Sequence, residues 1–133
     1  MITPLSILIT DDDVDFRQTL QGVFEPQGFR TLLAGDGEEA LEIVRRSEIH
    51  LLLMDVHMPR LSGLETLRQV KQFKSRLPCI LMSAEADERL VQQALLAQAF
   101  SVLCKPFSRL SITGAVRQAL ERTYNWPAPG KTA

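Results

Sequence analysis

The sequence has few cysteines, almost no net charge and no long apolar run. Its only two cysteines, Cys79 and Cys104, form no CxxC pair and have no metal-ligand spacing. Each lies in an apolar run, so we expect two buried thiols in the core and no disulfide. A chain of 133 residues buries enough surface to fold without a disulfide or a structural metal.

The charge balance and the short apolar runs exclude further classes of protein. The chain has 15 Lys and Arg residues against 16 Asp and Glu, for a net charge of −1. This balance gives no general electrostatic reason to bind nucleic acid or an anionic membrane. The first residues lack the basic region and apolar core of a signal peptide, and no run could span a bilayer. We therefore expect a cytoplasmic protein that contacts neither membrane nor nucleic acid directly.

Short apolar runs alternate five times with longer segments of helical periodicity. The runs have the usual length of strands and cover residues 5–10, 29–34, 49–54, 79–82 and 100–104. Between them, apolar residues recur at helical spacing, as in Phe16, Leu20, Val23 and Phe24. This alternation predicts an α/β protein with a parallel five-stranded sheet. We expect one domain over residues 1–124, followed at 125–133 by a flexible tail or the stub of a linker.

Four polar residues directly follow apolar runs: Asp11, Asp55, Ser83 and Lys105. The carboxyl ends of parallel strands lie at one edge of the sheet, so we expect these residues to meet in one crevice. That edge is where open α/β sheets bind ligands. Any one of the four has an ordinary structural explanation, such as a helix cap or a strand exit. Four together at one edge favour a functional site.

The carboxylates in this group predict a divalent cation. Asp11, Asp12 and Asp13 are consecutive, and neighbouring anions destabilise one another unless a cation neutralises them. We interpret Asp13 as a helix N-cap, because a helical stripe begins after it. Oxygen ligands without a His or Cys cluster favour Mg²⁺ over Zn²⁺. With the ammonium of Lys105 and the hydroxyl of Ser83, the group suits phosphoryl transfer to a carboxylate, with Asp55 on the central run as the candidate acceptor.

The residues resemble those of a known family, the receiver domain of bacterial two-component response regulators (CheY-like). The resemblance covers the chain from Leu5 to about Tyr124. Its motifs are ILITDDD at 7–13, AGDGEEAL at 34–41, MDVHMP at 54–59, GL at 63–64, LMSA at 81–84 and KPF at 105–107. It implies a flavodoxin-like (βα)5 three-layer sandwich with strand order 2-1-3-4-5.

The resemblance also implies roles for individual residues. Asp55 would accept phosphate from a sensor histidine kinase or a histidine phosphotransfer protein. Mg²⁺ would be held by Asp11, Asp12, Asp55 and the backbone carbonyl of His57. Such a domain catalyses its own phosphorylation and dephosphorylation but is not a conventional turnover enzyme.

Further implied roles concern the phosphoryl group and its consequences. Ser83 and Lys105 would each bind a phosphoryl oxygen, and His57 and Glu85 would tune how fast water attacks the phosphate. Phosphorylation would change the surface of the fourth helix, fifth strand and fifth helix. That surface would bind a downstream protein or an output domain, or form a homodimer.

The sequence departs from the family pattern at two positions. Val102 stands where the family has a switching Tyr or Phe, three residues before Lys105. Gln98 stands where a Gly commonly ends the preceding helix. A receiver-like module that no longer switches and serves only for dimerisation or docking is therefore an open alternative. A phosphatase of the haloacid-dehalogenase type is excluded, because the only acid after Lys105 is Glu121.

Overall fold

Five strands alternate with five helices in a computed structural model that describes residues 4–126. The strands are β1 (Ser6–Thr10), β2 (Arg30–Ala34), β3 (Leu51–Asp55), β4 (Cys79–Ser83) and β5 (Ser101–Cys104). The helices are α1 (Val14–Phe24), α2 (Gly37–Arg46), α3 (Gly63–Phe73), α4 (Glu88–Leu96) and α5 (Arg109–Tyr124). None of the helices within residues 4–126 has the length and apolar character needed to cross a bilayer.

All strands are parallel and pair in the order β2-β1-β3-β4-β5. The predicted three-layer flavodoxin-like architecture is confirmed. The apolar runs located each strand to within about two residues; the largest difference is at β3, which begins at Leu51 rather than at residue 49. Every residue of the central strand β3 is buried, as expected for a parallel strand covered on both faces.

The sheet separates two apolar cores. Side chains alternate between the faces along each strand, and β3 shows the division: Leu51 and Leu53 pack toward α1 and α5, whereas Leu52 and Met54 pack toward α2, α3 and α4. Both cores hold the strands rigidly in register. The buried strands therefore fix the positions of the residues that follow them.

Each helix begins at a capping side chain. The caps are Asp13, Asp36, Ser62, Asp87 and Ser108. Each side chain accepts a hydrogen bond from a backbone N–H of the first turn, which satisfies a donor that the helix leaves unpaired. The prediction for Asp13 is confirmed, since its Oδ1 lies 3.2 Å from the amide nitrogen of Phe16. All five helix starts lie beside the carboxyl ends of the strands.

The two thiols differ in burial. Cys79 is buried, and burial raises the pKa of its thiol to about 12. The prediction for Cys104 is wrong, because this residue is exposed. It is the last residue of β5, which pairs only with β4 at the edge of the sheet. An apolar run indicates a strand, but it does not tell which residue of an edge strand is covered.

The first residues of the expected tail contact the domain. Asn125 ends α5 with a left-handed backbone, φ 54°. The Trp126 ring packs against Phe29, with 5.5 Å between ring centroids. Residues 127–133 lie outside the described residues, so the proposed tail boundary stays a prediction.

Gln98 occupies the left-handed position after α4, with φ 70°. Its amide donates to the Leu95 carbonyl, and the amide of Ala99 donates to the Ala94 carbonyl. These two bonds form a Schellman ending, in which glycine is the favoured residue at the left-handed position. Glutamine there carries the steric cost of a Cβ at positive φ.

We expect Gln98→Gly to raise the free energy of unfolding by about 1 kcal/mol, because glycine removes that cost. Urea unfolding followed by circular dichroism measures it. The matched control is Gln92→Gly at an exposed position inside α4, which should lower stability by about 1 kcal/mol. An unchanged or lower stability of Gln98→Gly would show that the left-handed backbone costs the protein nothing.

Candidate functional site

Three carboxylates meet at the carboxyl ends of β1 and β3. Asp11 and Asp12 follow β1, and Asp55 is the last residue of β3. One oxygen from each can be chosen so that all three lie within 4.8 Å of one another. Asp11 is 1% exposed and Asp55 8% exposed, whereas Asp12 faces solvent. The convergence predicted from parallel strand ends is present in the structure.

The ammonium of Lys105 lies between the two buried carboxylates. Its Nζ is 2.8 Å from Asp11 Oδ2 and 3.2 Å from Asp55 Oδ2. The same atom lies 4.1 Å from the ring centroid of Phe16, a cation–π contact. The Phe107 ring packs edge-on against Phe16 at 5.9 Å. Lys105 is therefore positioned by both charge and aromatic packing.

Charge in this pocket is unbalanced, and the pKa of Asp55 reflects it. Burial raises the pKa of Asp55 and the charge of Asp11 raises it further, against the lowering effects of the His57 amide and Lys105. Burial lowers the pKa of Lys105, but its bonds to Asp11 and Asp55 outweigh this effect, so the pKa lies above its usual value. Three ionised carboxylates and one ammonium leave a net negative charge that a divalent cation would neutralise. An all-oxygen ligand set fits Mg²⁺.

Ser83 contributes a hydroxyl on the next strand. It is the last residue of β4 and has no exposed surface. Its Oγ accepts from the amide of Glu85 at 2.9 Å and lies 3.1 Å from Nε2 of His57. The structure places the Glu85 side chain at the surface. The contact between His57 and Ser83 was not predicted, because it depends on the conformation of the loop after β3 and not on where the strands end.

The loop after β3 holds Asp55 through backbone contacts. The amide of His57 donates to Asp55 Oδ1 at 3.1 Å. The amide of Gly63 donates to the Val56 carbonyl at 2.9 Å. A Cβ on Gly63 would overlap the backbone carbonyl of Asp55 and lie 2.8 Å from Val56 Cα. Only glycine allows α3 to begin this close to Asp55.

Arg17 supports the acidic cluster from α1. One guanidinium nitrogen donates to the backbone carbonyl of Asp11 at 2.7 Å. A Cβ on Gly35 would lie 2.8 Å from that nitrogen, so the loop after β2 closes over the arginine. The role of Arg17 was not predicted from the sequence, and Phe16 was predicted only as a core residue. Their position, about one helical turn after the three consecutive aspartates, could have indicated that Phe16 and Arg17 lie beside the site.

Val102 lies on β5 opposite Leu81 of β4. Its partly buried side chain packs against the core on the side of α2, α3 and α4. No aromatic ring occupies this position, as the sequence indicates.

We expect Asp55→Asn to raise the free energy of unfolding at pH 7. The raised pKa means that the folded protein binds this proton more tightly than the unfolded chain, so ionised Asp55 destabilises the fold. This penalty grows as the pH rises from the unfolded pKa, about 3.9, through the higher folded pKa. The advantage of the variant should therefore vanish below about pH 4. Urea unfolding at several pH values tests it.

Added Mg²⁺ gives the matching control for this experiment. A cation bound to the folded state stabilises it by mass action, so Mg²⁺ should stabilise the native sequence more than the asparagine variant. Equal stabilisation of both would contradict a metal site that includes Asp55.

We expect Gly63→Ala to lower the free energy of unfolding by about 1 to 3 kcal/mol, because the new methyl group overlaps the backbone of Asp55 and Val56. The control is Gly22→Ala in α1, where a Cβ meets nothing within 4 Å. That substitution should raise stability by about 0.5 to 1 kcal/mol. Chemical denaturation measures both, and equal effects of the two substitutions would refute the close approach at Gly63.

Comparisons with known proteins agree with this architecture. A family model described as "Response regulator receiver domain" matches residues 7–117. The chain is 32% identical to Response regulator RR06 of Streptococcus pneumoniae over 120 residues, covering 90% of this chain and 55% of that protein. It is 37% identical to Response regulator MprA of Mycobacterium leprae over 119 residues, covering 90% of this chain and 52% of that protein. The chain thus spans about half the length of these relatives.

Solved structures share the fold. One is the CheX-CheY-BeF3-Mg²⁺ complex from Borrelia burgdorferi, with a TM-score of 0.85, 29% identity, and coverage of 88% of this chain and 90% of that chain. The family match extends over most of the sequence, and the acidic cluster and lysine lie where the strand order brings them. The chain belongs to the response regulator receiver domains of two-component signalling.

Proposed function

We propose that Asp55 accepts a phosphoryl group from the phosphohistidine of a sensor histidine kinase or a histidine phosphotransfer protein. The observation that carries this proposal is the Lys105 ammonium, which lies between Asp11 and Asp55 inside a cluster of three carboxylates. This arrangement provides a nucleophilic carboxylate beside a cation that can bind a transferred oxygen.

In this reaction a carboxylate oxygen of Asp55 attacks phosphorus. The phosphorus–nitrogen bond of the donor breaks, its electron pair returns to the imidazole, and an acyl phosphate forms on Asp55. Lys105 pairs with one phosphoryl oxygen and offsets its charge. Because the donor is already activated, positioning and charge neutralisation account for most of the catalysis.

Mg²⁺ would be held by Asp11, Asp12, Asp55 and the backbone carbonyl of His57. When bound, it would neutralise carboxylate and phosphoryl charge at the same point. This metal site is supported by the carboxylate cluster. Burial raises the pKa of Asp55, and the neighbouring charge of Asp11 raises it further. The solvent-facing position of Asp12 suits an exchangeable, partly hydrated ion.

In a second step, water would hydrolyse the acyl phosphate, releasing inorganic phosphate and restoring the Asp55 carboxylate. His57 and Glu85 flank the site from two loops and would tune the access of that water. Ser83 would bind a second phosphoryl oxygen through its hydroxyl. The domain thus catalyses its own phosphorylation and dephosphorylation without acting as a conventional turnover enzyme.

Phosphorylation would change the surface formed by α4, β5 and α5. Leu96 on α4 is 85% exposed and its neighbour Leu95 54% exposed, which suits contact with a downstream protein, an output domain or a second copy of the chain. Since Val102 replaces the family aromatic, other residues of this surface would carry the change. We place the function in the cytoplasm, where histidine kinases present their phosphohistidine.

We expect one phosphate adduct when the protein is incubated with Mg²⁺ and acetyl phosphate, because acetyl phosphate is a small activated phosphoryl donor. Intact mass spectrometry measures it. The adduct should disappear in Asp55→Asn and in a native sample with EDTA. Equal phosphorylation of Asp55→Asn would contradict the assignment of the acceptor.

A second candidate function, a docking module that does not switch, is favoured by Val102 alone. Amide hydrogen exchange with and without beryllofluoride and Mg²⁺ separates the two. We expect altered protection in α4, β5 and α5, because phosphoryl contacts exist in only one state. Protection that changes only at the acidic cluster would support the docking module.

A further inference from the structure

We propose that His57 restrains the hydroxyl of Ser83 in a resting orientation, and that this contact must break before the hydroxyl can bind a phosphoryl group on Asp55. The inference rests on the proposed function and adds a regulatory contact to the same site. The structure shows the contact directly, since Nε2 of His57 lies 3.1 Å from Ser83 Oγ.

The hydrogen-bonding capacity of Ser83 is largely used. A serine hydroxyl offers one donor and two acceptor positions. The amide of Glu85 occupies one acceptor position at 2.9 Å, and His57 occupies a second position. Among the described residues, no hydrogen bond joins Ser83 Oγ to Asp55 or Lys105. The hydroxyl is therefore engaged by the two loops and not by Asp55.

The backbone of Ser83 is fixed, so only its side chain can turn. Ser83 is fully buried and pairs with Cys104 of β5. On the other side, the amide of Val56 donates to the Met82 carbonyl at 2.9 Å. A rotation about the Cα–Cβ bond is the available motion, and that rotation exchanges one set of partners for another. The contact with His57 selects among these rotamers.

The backbone of His57 is fixed by a hydrogen bond, whereas its side chain, in the part of the chain that the structure describes, is held only by the contact with Ser83. Its amide donates to Asp55 Oδ1 at 3.1 Å, which fixes its Cα two residues beyond the acceptor. The residue as a whole is exposed, so water can solvate the ring once it leaves Ser83. These properties describe a restraint that holds the resting state and yields when a stronger acceptor arrives.

The sign of the effect follows from competition. In the proposed resting state the Ser83 hydroxyl donates its single proton to Nε2 of His57, so a phosphoryl group and the His57 ring compete for that proton. A ligand shifts an equilibrium only by its differential interaction with the two states. Removing the resting contact should therefore tighten binding of a phosphoryl mimic. The net strength of one hydrogen bond corresponds to a change of roughly threefold to tenfold in affinity. A histidine that instead contacted the phosphoryl group directly would give the opposite sign.

The experiment is a titration of the protein with beryllofluoride in saturating Mg²⁺ at one fixed pH, followed by amide NMR signals of the β3–α3 and β4–α4 loops. His57→Ala removes the contact. His57→Gln is the matched variant, because its terminal amide lies the same number of bonds from Cβ as Nε2 and can bond Ser83 again. The same pair of substitutions is repeated in Ser83→Ala, which has no hydroxyl to restrain.

We expect His57→Ala to bind beryllofluoride roughly threefold to tenfold more tightly than the native sequence, and His57→Gln to return most of the way to the native affinity. In the Ser83→Ala background the His57 substitution should have no effect, which a double-mutant cycle detects as coupling. If His57→Ala acted only by loosening the β3–α3 loop, its effect on beryllofluoride affinity would be the same in the Ser83→Ala background.

Unchanged or weaker binding by His57→Ala, with the native sequence binding normally, would overturn the restraint and leave the phosphoacceptor assignment intact. A gain of equal size in the Ser83→Ala background would also overturn it. No binding of beryllofluoride by the native sequence in Mg²⁺ would refute the phosphoacceptor assignment itself, and the restraint with it.

Discussion

The contact of one ammonium with two buried carboxylates depends on nearly every other feature of this fold. Lys105 follows the edge strand β5, whereas Asp11 follows β1 and Asp55 ends β3, two strands nearer the middle of the sheet. Their side chains meet because parallel strands end at the same edge. Two apolar cores hold that edge, and Phe16 and Phe107 place the lysine within it. The site is thus a product of the sheet rather than of a local motif.

Burial makes this arrangement both costly and useful. Taking carboxylates out of water raises the pKa of Asp55 and destabilises the ionised pocket. One lysine offsets only part of that charge. The remaining negative charge would attract a cation, and in the proposed reaction the same carboxylate would attack an incoming phosphorus atom. The uniformly buried strands β3 and β4 beneath this edge offset that loss of stability.

The fold could be predicted from the sequence, and so could the residues that form the acidic cluster. Both follow from periodicity and from the position of polar residues after strands, which are local features of the chain. The exposure of Cys104 and the contact of Trp126 with Phe29 could not. The first depends on which residue of an edge strand is covered, and the second on where the chain turns after α5; neither is encoded in a short window.

The same distinction holds inside the site. The convergence of Asp11, Asp55 and Lys105 was predictable, but the support from Arg17 and the contact between His57 and Ser83 were not. These contacts depend on loop conformations and on side-chain reach between elements.

The most direct test of the account is to trap the acyl phosphate and locate it. Borohydride reduces an aspartyl phosphate to homoserine, which tandem mass spectrometry of a digest assigns to one position. After incubation with acetyl phosphate and Mg²⁺, the account predicts homoserine at Asp55 alone. Homoserine at Asp11 or Asp12, or at several carboxylates without preference, would contradict it.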